Sequence, residues 1–162
     1  PNQRRMASPA VHHQKRAWVE IPVTDAWLNP YLFARYVDGA RGEGGAFDCW
    51  GLARDVRHKV YGKRLLPSWG HIRNTMPRAF TEAYHEQAKE LEECAPEVGA
   101  LAMVFTGRLM LHVGVVVELE GRLAVLDISA KTGCRWQRIP DFEAPFFKVV
   151  YYRDSPNFSE PT

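Results

Sequence analysis

The feature that most constrains the fold is a change of hydrophobic period at Ala100. From this residue onward, apolar side chains recur at every second position and β-branched residues are frequent, as is typical of strands. The predicted strands are 100–106, 109–118, 122–128, 134–139 and 146–152. Because these strands follow one another and do not alternate with helices in a βαβ pattern, an antiparallel sheet is predicted.

The first half of the chain carries helical signals instead. Glycines make residues 38–46 a loop. After this loop, apolar residues recur at four-residue steps, at Leu52, Val56 and Val60. Gly62 stands where a helix C-cap is expected, so this helix is predicted to begin at Cys49.

Two further helices are predicted on either side of the Cys49 helix. Asn29, followed by a proline, is expected to cap a short one. A longer one is predicted over 77–93, because its apolar residues form one stripe and Pro96 ends it. Helices that come first and strands that come second predict an α+β fold, with the Cys49 helix packed on a five- to six-stranded antiparallel sheet.

The length of 162 residues predicts one domain with one core, which is assigned to residues 18–153. Residues 1–17 contain four Lys or Arg residues and two prolines without an apolar face, so they are predicted to form an extended basic arm. Residues 154–162 are predicted to be a C-terminal tail.

Composition argues against several classes of function. The 21 basic and 19 acidic residues leave a net charge of +2, which is too small to predict nucleic-acid binding. No apolar run reaches the length of a membrane-spanning helix, so no membrane partner is expected. The three cysteines are too few and too scattered for a disulfide framework or for paired zinc ligands. Neither a metal nor a cofactor is therefore expected.

Cys49 is the candidate nucleophile. At a helix N-terminus its sulfur would meet unpaired backbone N–H groups and the positive end of the helix dipole, both of which favour the thiolate. A structural cysteine at a helix start is the alternative. Cys94, which is flanked by acidic residues, and Cys134, which has no histidine nearby in sequence, are expected to be structural.

A histidine in a central strand is the second chemical signal. His112 lies in the strand 109–118, whose apolar residues fill both faces. Alone, it would be interpreted as a core histidine hydrogen-bonded to a neighbour. If Glu120-Gly121 forms a type I′ turn, however, Asp127 lies diagonally across from His112 on the same face, within about 7–8 Å.

The same register places Gly114 opposite Asp127 and Ser129 opposite His112. The missing side chain of Gly114 is expected to let the Cys49 helix approach the sheet. Asp127 is preferred over Ser129 as the partner that fixes the histidine ring. His112 would then take the proton of Cys49, and backbone N–H groups at the helix start would hold the oxyanion.

These residues resemble the NlpC family of cell-wall cysteine peptidases, in which a cysteine, a histidine and a third polar residue follow in this order. The matching segments are Asp48-Cys49-Trp50-Gly51-Leu52, Tyr61-Gly62, Leu66-Pro67, Pro96, Gly99, Phe105 and His112-Val113-Gly114. The tryptophan after the cysteine is similar to the phage-tail branch of the family. The resemblance covers roughly residues 30–153 and implies a papain-like fold.

The resemblance also implies an activity and a substrate site. Members cleave peptidoglycan stem peptides, often between D-glutamate and a diamino acid. Asp48 would hold the free amino end of the stem peptide, although capping of the Cys49 helix is an equally open and compatible role. Tyr36 and Trp50 would also bind substrate, with a core position as the alternative for Tyr36.

The phage-tail resemblance implies a place in the virion. The protein would act from the tail tip in the host periplasm, opening the wall for DNA delivery, and residues 1–17 would bind tail-tip or hub proteins. The bacterial cell envelope is the alternative location. Two departures from the family pattern, Ala100 after Gly99 and Asp127 in place of a frequent histidine, leave open a catalytically weak structural or wall-binding protein. Acyl chemistry on another substrate is also open.

Overall fold

The structure, a computed structural model, describes residues 23–69 and 76–156. The predicted arm, residues 1–17, and residues 157–162 of the predicted tail lie outside the described residues. A 3₁₀ helix, Val23–Leu28, precedes the α-helices α1 (Asn29–Leu32), α2 (Cys49–Lys59), α3 (Pro77–Ala88) and α4 (Ile139–Glu143). The strands are β1 (Arg35–Tyr36), β2 (Ala46–Phe47), β3 (Leu91–Cys94), β4 (Leu101–Thr106), β5 (Leu109–Leu119), β6 (Arg122–Ser129), β7 (Gly133–Arg138) and β8 (Lys148–Asp154).

Six of these strands form one antiparallel sheet in the order β3-β8-β4-β5-β6-β7. The prediction of an α+β fold with a five- to six-stranded antiparallel sheet is therefore confirmed. The two short strands β1 and β2 pair in parallel and form a separate ribbon directly before α2.

The β5–β6 hairpin positions the candidate site. Glu120 and Gly121 have φ angles of 55° and 72°, as both central residues of a type I′ turn require. Leu119 pairs with Arg122 across the turn, so the predicted register is confirmed for the part of the hairpin that forms a ladder. The ladder continues as far as the pair Val115 and Leu126, and the rest of β6 pairs with β7 on its other side.

The two faces of the sheet bury different clusters. Helix α2 packs on β5 and β6, and its Leu52 and Val56 are fully buried with Val113 and Val115 in one cluster. Each such side chain contributes about 1.5–3 kcal/mol through burial. On the opposite face, Phe142 of α4 is buried with the intervening residues of the strands, which are Ala100, Ala102, Val104, Val116, Val125 and Tyr151.

The predicted helix over 77–93 is wrong in its last turn. Helix α3 ends at Ala88, and Leu91–Cys94 form the edge strand β3, which pairs with β8. Leu91 is buried in this strand, but its spacing also continues the apolar stripe of the helix. Hydrophobic spacing therefore does not distinguish a longer helix from a strand at this position. The ion pair between Glu92 and Arg153, which stand opposite each other, favours the strand.

Candidate functional site

Cys49 is the first residue of α2, as predicted. Asp48 precedes it in an extended conformation, and its Oδ1 accepts a hydrogen bond of 2.8 Å from the backbone N–H of Gly51. Asp48 is therefore the N-cap of the helix, which was one of its two predicted roles. The cap fixes where the helix begins and so places the Cys49 sulfur at the positive end of the helix dipole.

The second oxygen of Asp48 binds the preceding loop, because its Oδ2 accepts the N–H of Gly39 at 2.9 Å. Arg41 also donates to Oδ1 of Asp48 at 2.6 Å, and both side chains of this ion pair are almost fully buried. Asp48 is 2% exposed and uses both oxygens within the protein. Recognition of a substrate amino group by Asp48 stays a prediction, and it would require one of these contacts to open.

Arg41 is a site residue that sequence reasoning missed, and the structural role of Gly51 was not predicted. A Cβ atom at Gly51 would lie 2.3 Å from the carbonyl oxygen of Ala40, so only glycine permits the loop to lie this close to α2. Arg41 also donates to the carbonyl oxygens of Ser68 and Trp69, at 2.5 and 3.1 Å. It thereby joins two loops beside Cys49. No periodic pattern marks an arginine that acts across the chain in this way.

His112 and Asp127 are brought together by the hairpin register. His112 Nε2 lies 2.8 Å from Oδ2 of Asp127. An ionised carboxylate can only accept, so Nε2 carries the proton and donates it. Nδ1 is then the ring nitrogen that remains for Cys49. Ser129, the rival partner, bonds instead to Thr132 through its Oγ, at 2.8 Å.

Cys49 lies close enough to the His112 ring to affect its pKa. Burial by itself would lower the pKa of His112, but hydrogen bonds to Asp127 and to Cys49, with the negative charges of both, raise it to about 10. The ring is therefore an imidazolium at neutral pH.

The faces of the sheet differ from the prediction. Asp127 shares its face with Val125, and the centres of the His112 and Phe146 rings lie 6.3 Å apart, so positions 112 and 127 both lie on the face of the sheet that α4 covers. A Cβ atom on Gly114 would lie 2.6 Å from Val125 Cγ1 and 3.4 Å from Asp127 Cβ. The absent side chain of Gly114 thus makes room for β6, and its predicted role in admitting the Cys49 helix is wrong.

Arg135 is a further residue that the sequence did not reveal. It pairs with Asp127 across β6 and β7, and its Nε lies 3.7 Å from Oδ1 of Asp127. This is an ion pair without a hydrogen bond, because Nε and Oδ1 are both buried and have no hydrogen-bond partner. The carboxylate that orients His112 therefore has a cation on its other side.

Two of the predicted substrate-binding residues have structural contacts. Trp50 is 1% exposed, is stacked on Trp69 at 4.2 Å, and donates from Nε1 to the carbonyl of Pro67 at 2.9 Å. These contacts hold the 66–69 loop against α2, and substrate binding by Trp50 stays a prediction. Tyr36 is half-buried in β1, where it pairs with Phe47. Strand β1 itself packs beside β7.

The other two cysteines lack the features of a nucleophile. Burial and the nearby charge of Asp127 raise the pKa of Cys134 to about 12. Burial and the negative charge of Glu97 raise the pKa of Cys94 as well. Both are therefore thiols at neutral pH.

A cleft opens beside His112 and Asp127, between the β6–β7 hairpin and the segment after α4. Its other lining residues are Ser129, Lys131, Thr132, Arg135, Gln137, Pro145 and Phe146. Cys49 does not line this cleft and is itself 1% exposed. The cleft therefore gives access to His112 and not directly to Cys49.

Within residues 23–69 and 76–156, no group of three or more His, Cys, Asp or Glu side chains is arranged to hold a metal ion. The same ranges contain no helix with the length and apolar character to cross a membrane. A scan against protein-family models gave no match for the chain, and a search of curated proteins gave no similar sequence.

Proposed function

We propose that this protein is a papain-like cysteine endopeptidase that cleaves peptidoglycan stem peptides. The observation that carries the proposal is the hydrogen bond between His112 and Asp127, with Cys49 at a capped helix N-terminus and close enough to the ring to raise its pKa. Thiol hydrolases need these three elements: a sulfur made anionic, a ring that moves a proton, and a group that fixes the ring.

The reaction follows from the protonation states. The Cys49 thiolate attacks the amide carbon, and a C–S bond forms while the carbonyl oxygen becomes an oxyanion. When the C–N bond breaks, the His112 imidazolium gives its proton to the leaving amine. Water then attacks the thioester with neutral His112 as its base, which releases the acid and restores the ion pair. Asp127 stays ionised and holds Nε2 throughout.

The oxyanion would be held at the start of α2. The first N–H groups of a helix have no acceptor within the helix, and Asp48 takes that of Gly51. The backbone N–H of Cys49 is the donor nearest to the reacting sulfur, so we assign it to the oxyanion. The Asp48 cap and the Arg41 ion pair support this role by fixing the backbone around residue 49.

The choice of substrate rests on the resemblance to the NlpC family. The cysteine motif at residues 48–52 and the histidine motif at residues 112–114 follow the order of that family. The tryptophan after the cysteine supports a place at a phage tail tip, where wall cleavage in the periplasm would open a path for DNA. Tail-tip or hub proteins are the proposed partners of residues 1–17.

The test is digestion of purified wall peptides, with products identified by mass spectrometry. The protein under reducing conditions is expected to cut one amide bond, and the Cys49→Ala variant is expected to cut none. Cys94→Ala is the matched control, since its thiol lies on the edge strand β3, and it should cut normally. Equal products from the protein and from Cys49→Ala would refute the proposal.

A second candidate is a wall-binding or structural tail protein with weak turnover. The observation that favours it is the burial of Cys49, which is 1% exposed. Alkylation by iodoacetamide separates the two functions. An active peptidase should react at Cys49 while folded, and faster than at Cys94. A structural protein should react at Cys49 only after denaturation.

A further inference from the structure

Asp127 uses one of its two oxygens for hydrogen bonding within the described part of the chain. Its Oδ2 accepts from Nε2 of His112 at 2.8 Å, whereas Oδ1 is buried and has no hydrogen-bond partner there. An ionised oxygen buried in this way is costly unless an opposite charge faces it. Arg135 supplies that charge, because it stands opposite Asp127 in the β6–β7 ladder and its Nε lies 3.7 Å from Oδ1.

The titratable and charged groups around Asp127 come from the elements packed on β6. They are His112 of β5, with Cys49 of α2 close to its ring, Cys134 and Arg135 of β7, and Lys131 of the turn between β6 and β7. Helix α4 brings the apolar Phe142 to this side of β6. Cys134 is a neutral thiol, so Arg135 is the charge that opposes the carboxylate across the ladder.

Arg135 acts on the proton of His112 through this carboxylate. Asp127 stabilises the imidazolium, and a ring held by an unopposed buried carboxylate would release its proton reluctantly. A cysteine hydrolase needs the ring to give this proton to the leaving amine and then to serve as a neutral base towards water. A cation at the far oxygen repels the imidazolium charge and so weakens the hold of the ring on its proton.

We propose that Arg135 is a positioning residue that holds Oδ1 of Asp127, keeps Oδ2 aimed at His112, and lets the ring release its proton during turnover. This inference rests on the proposed function and adds a residue to its site. The contact between Arg135 and Asp127 is an ion pair without a hydrogen bond. The charge of Arg135 therefore matters more to this role than the shape of its guanidinium group.

The first test needs no turnover, because it follows the His112 ring by NMR in the full chain carrying Cys49→Ala. Adding Arg135→Gln is expected to raise the pKa of the ring by about one pH unit, a small effect for a charge this close because the arginine is 39% exposed and partly screened by solvent. Arg135→Lys, which keeps the charge, should restore most of the original value. Lys131→Gln, which removes another cation of the same cleft, should leave the titration unchanged. An unchanged or lowered pKa in Arg135→Gln, or no recovery in Arg135→Lys, would overturn the inference.

The second test uses the active protein and separates positioning from substrate contact. A ring whose pKa rises by about one pH unit is neutral about tenfold less often at neutral pH, so Arg135→Gln is expected to lower kcat about tenfold and to leave KM unchanged. In a protein that already carries Asp127→Asn, adding Arg135→Gln should change kcat by less than about twofold, because the charge that it opposes is gone. A rise in KM with kcat unchanged would overturn the inference, as would the same tenfold loss with and without Asp127.

The two tests also separate this inference from the proposed function. If Arg135→Gln raises the pKa of His112 in a protein that cuts no wall peptide, the action of Arg135 on the ring stands and the peptidase fails. If the protein cuts wall peptides and the titration does not move, the peptidase stands and the inference fails.

Discussion

Nε2 of His112 donates to Oδ2 of Asp127 over 2.8 Å, although the two residues are 15 positions apart and belong to different strands. The contact exists because a type I′ turn at Glu120 and Gly121 sets the register of the hairpin. A two-residue turn thus determines which acid the histidine meets. Slippage of the hairpin by one residue would turn Asp127 to the other face and break the pair.

Asp127→Asn is expected to keep the shape of this contact and remove its charge. The loss of the carboxylate should lower the pKa of His112 from about 10 towards its ordinary value, and it should reduce cleavage on the order of 10²-fold or more. NMR titration of the histidine ring and the rate on wall peptides measure the two effects. Ser129→Ala is the control and should change neither. An unchanged His112 titration in Asp127→Asn would contradict the assigned role.

The raised pKa of His112 also predicts how stability depends on pH. Because the folded state binds this proton more tightly than the unfolded chain does, the stabilisation is fully present below the ordinary pKa of 6.5. It is lost as the pH rises through about 10. Urea unfolding of the protein and of His112→Gln should therefore give a stability difference that shrinks over this window. A difference that grows with pH would show that the sign is wrong.

Gly51→Ala is expected to displace the loop that precedes α2. The new Cβ would lie 2.3 Å from the Ala40 carbonyl, so backbone must move, at a cost of about 1–3 kcal/mol. The temperature of thermal unfolding and the cleavage rate should both fall. Ala53→Ser, two residues further along the same helix, offers a small-residue control for stability. A Gly51→Ala protein with unchanged stability would show that the loop is not constrained by this contact.

Arg41→Met is expected to leave the Asp48 carboxylate buried without its cation. Breaking a buried pair from one side costs about 3–5 kcal/mol, measured as the free energy of unfolding. Adding Asp48→Asn should recover part of this loss, because the amide oxygen can still cap Gly51 without a charge. If the double variant is no more stable than Arg41→Met, the cost does not come from the unpaired charge.

The sequence was sufficient where local signals determine the structure. The turn residues Glu120 and Gly121 set the register, and the register led to the contact between His112 and Asp127. The loop before Cys49 and the apolar steps after it located the start of α2. These features depend on residues close together in the chain, so a single sequence contains them.

The remaining features depend on contacts between distant segments. Arg41 reaches carbonyls at positions 68 and 69, and the cation beside Asp127 comes from the next strand, at Arg135. Neither position has a pattern that marks it. Gly114 was correctly placed near Asp127, but its missing side chain was expected to face the Cys49 helix and instead faces β6. Alternation of apolar residues alone does not say which face of the sheet α2 covers. Burial of Trp50 was likewise invisible in its motif.

Trapping of a covalent intermediate tests the role of Cys49 most directly. Wall peptide is mixed with the protein, the reaction is stopped with acid during turnover, and the digested protein is mapped by mass spectrometry. The account predicts an acyl group, joined through a thioester, on the segment that contains Cys49, and its absence in Cys49→Ala. Two results would contradict the assignment of Cys49 as the nucleophile. The first is cleavage of wall peptide by the Cys49→Ala variant, and the second is an acyl adduct at Cys134 instead of Cys49.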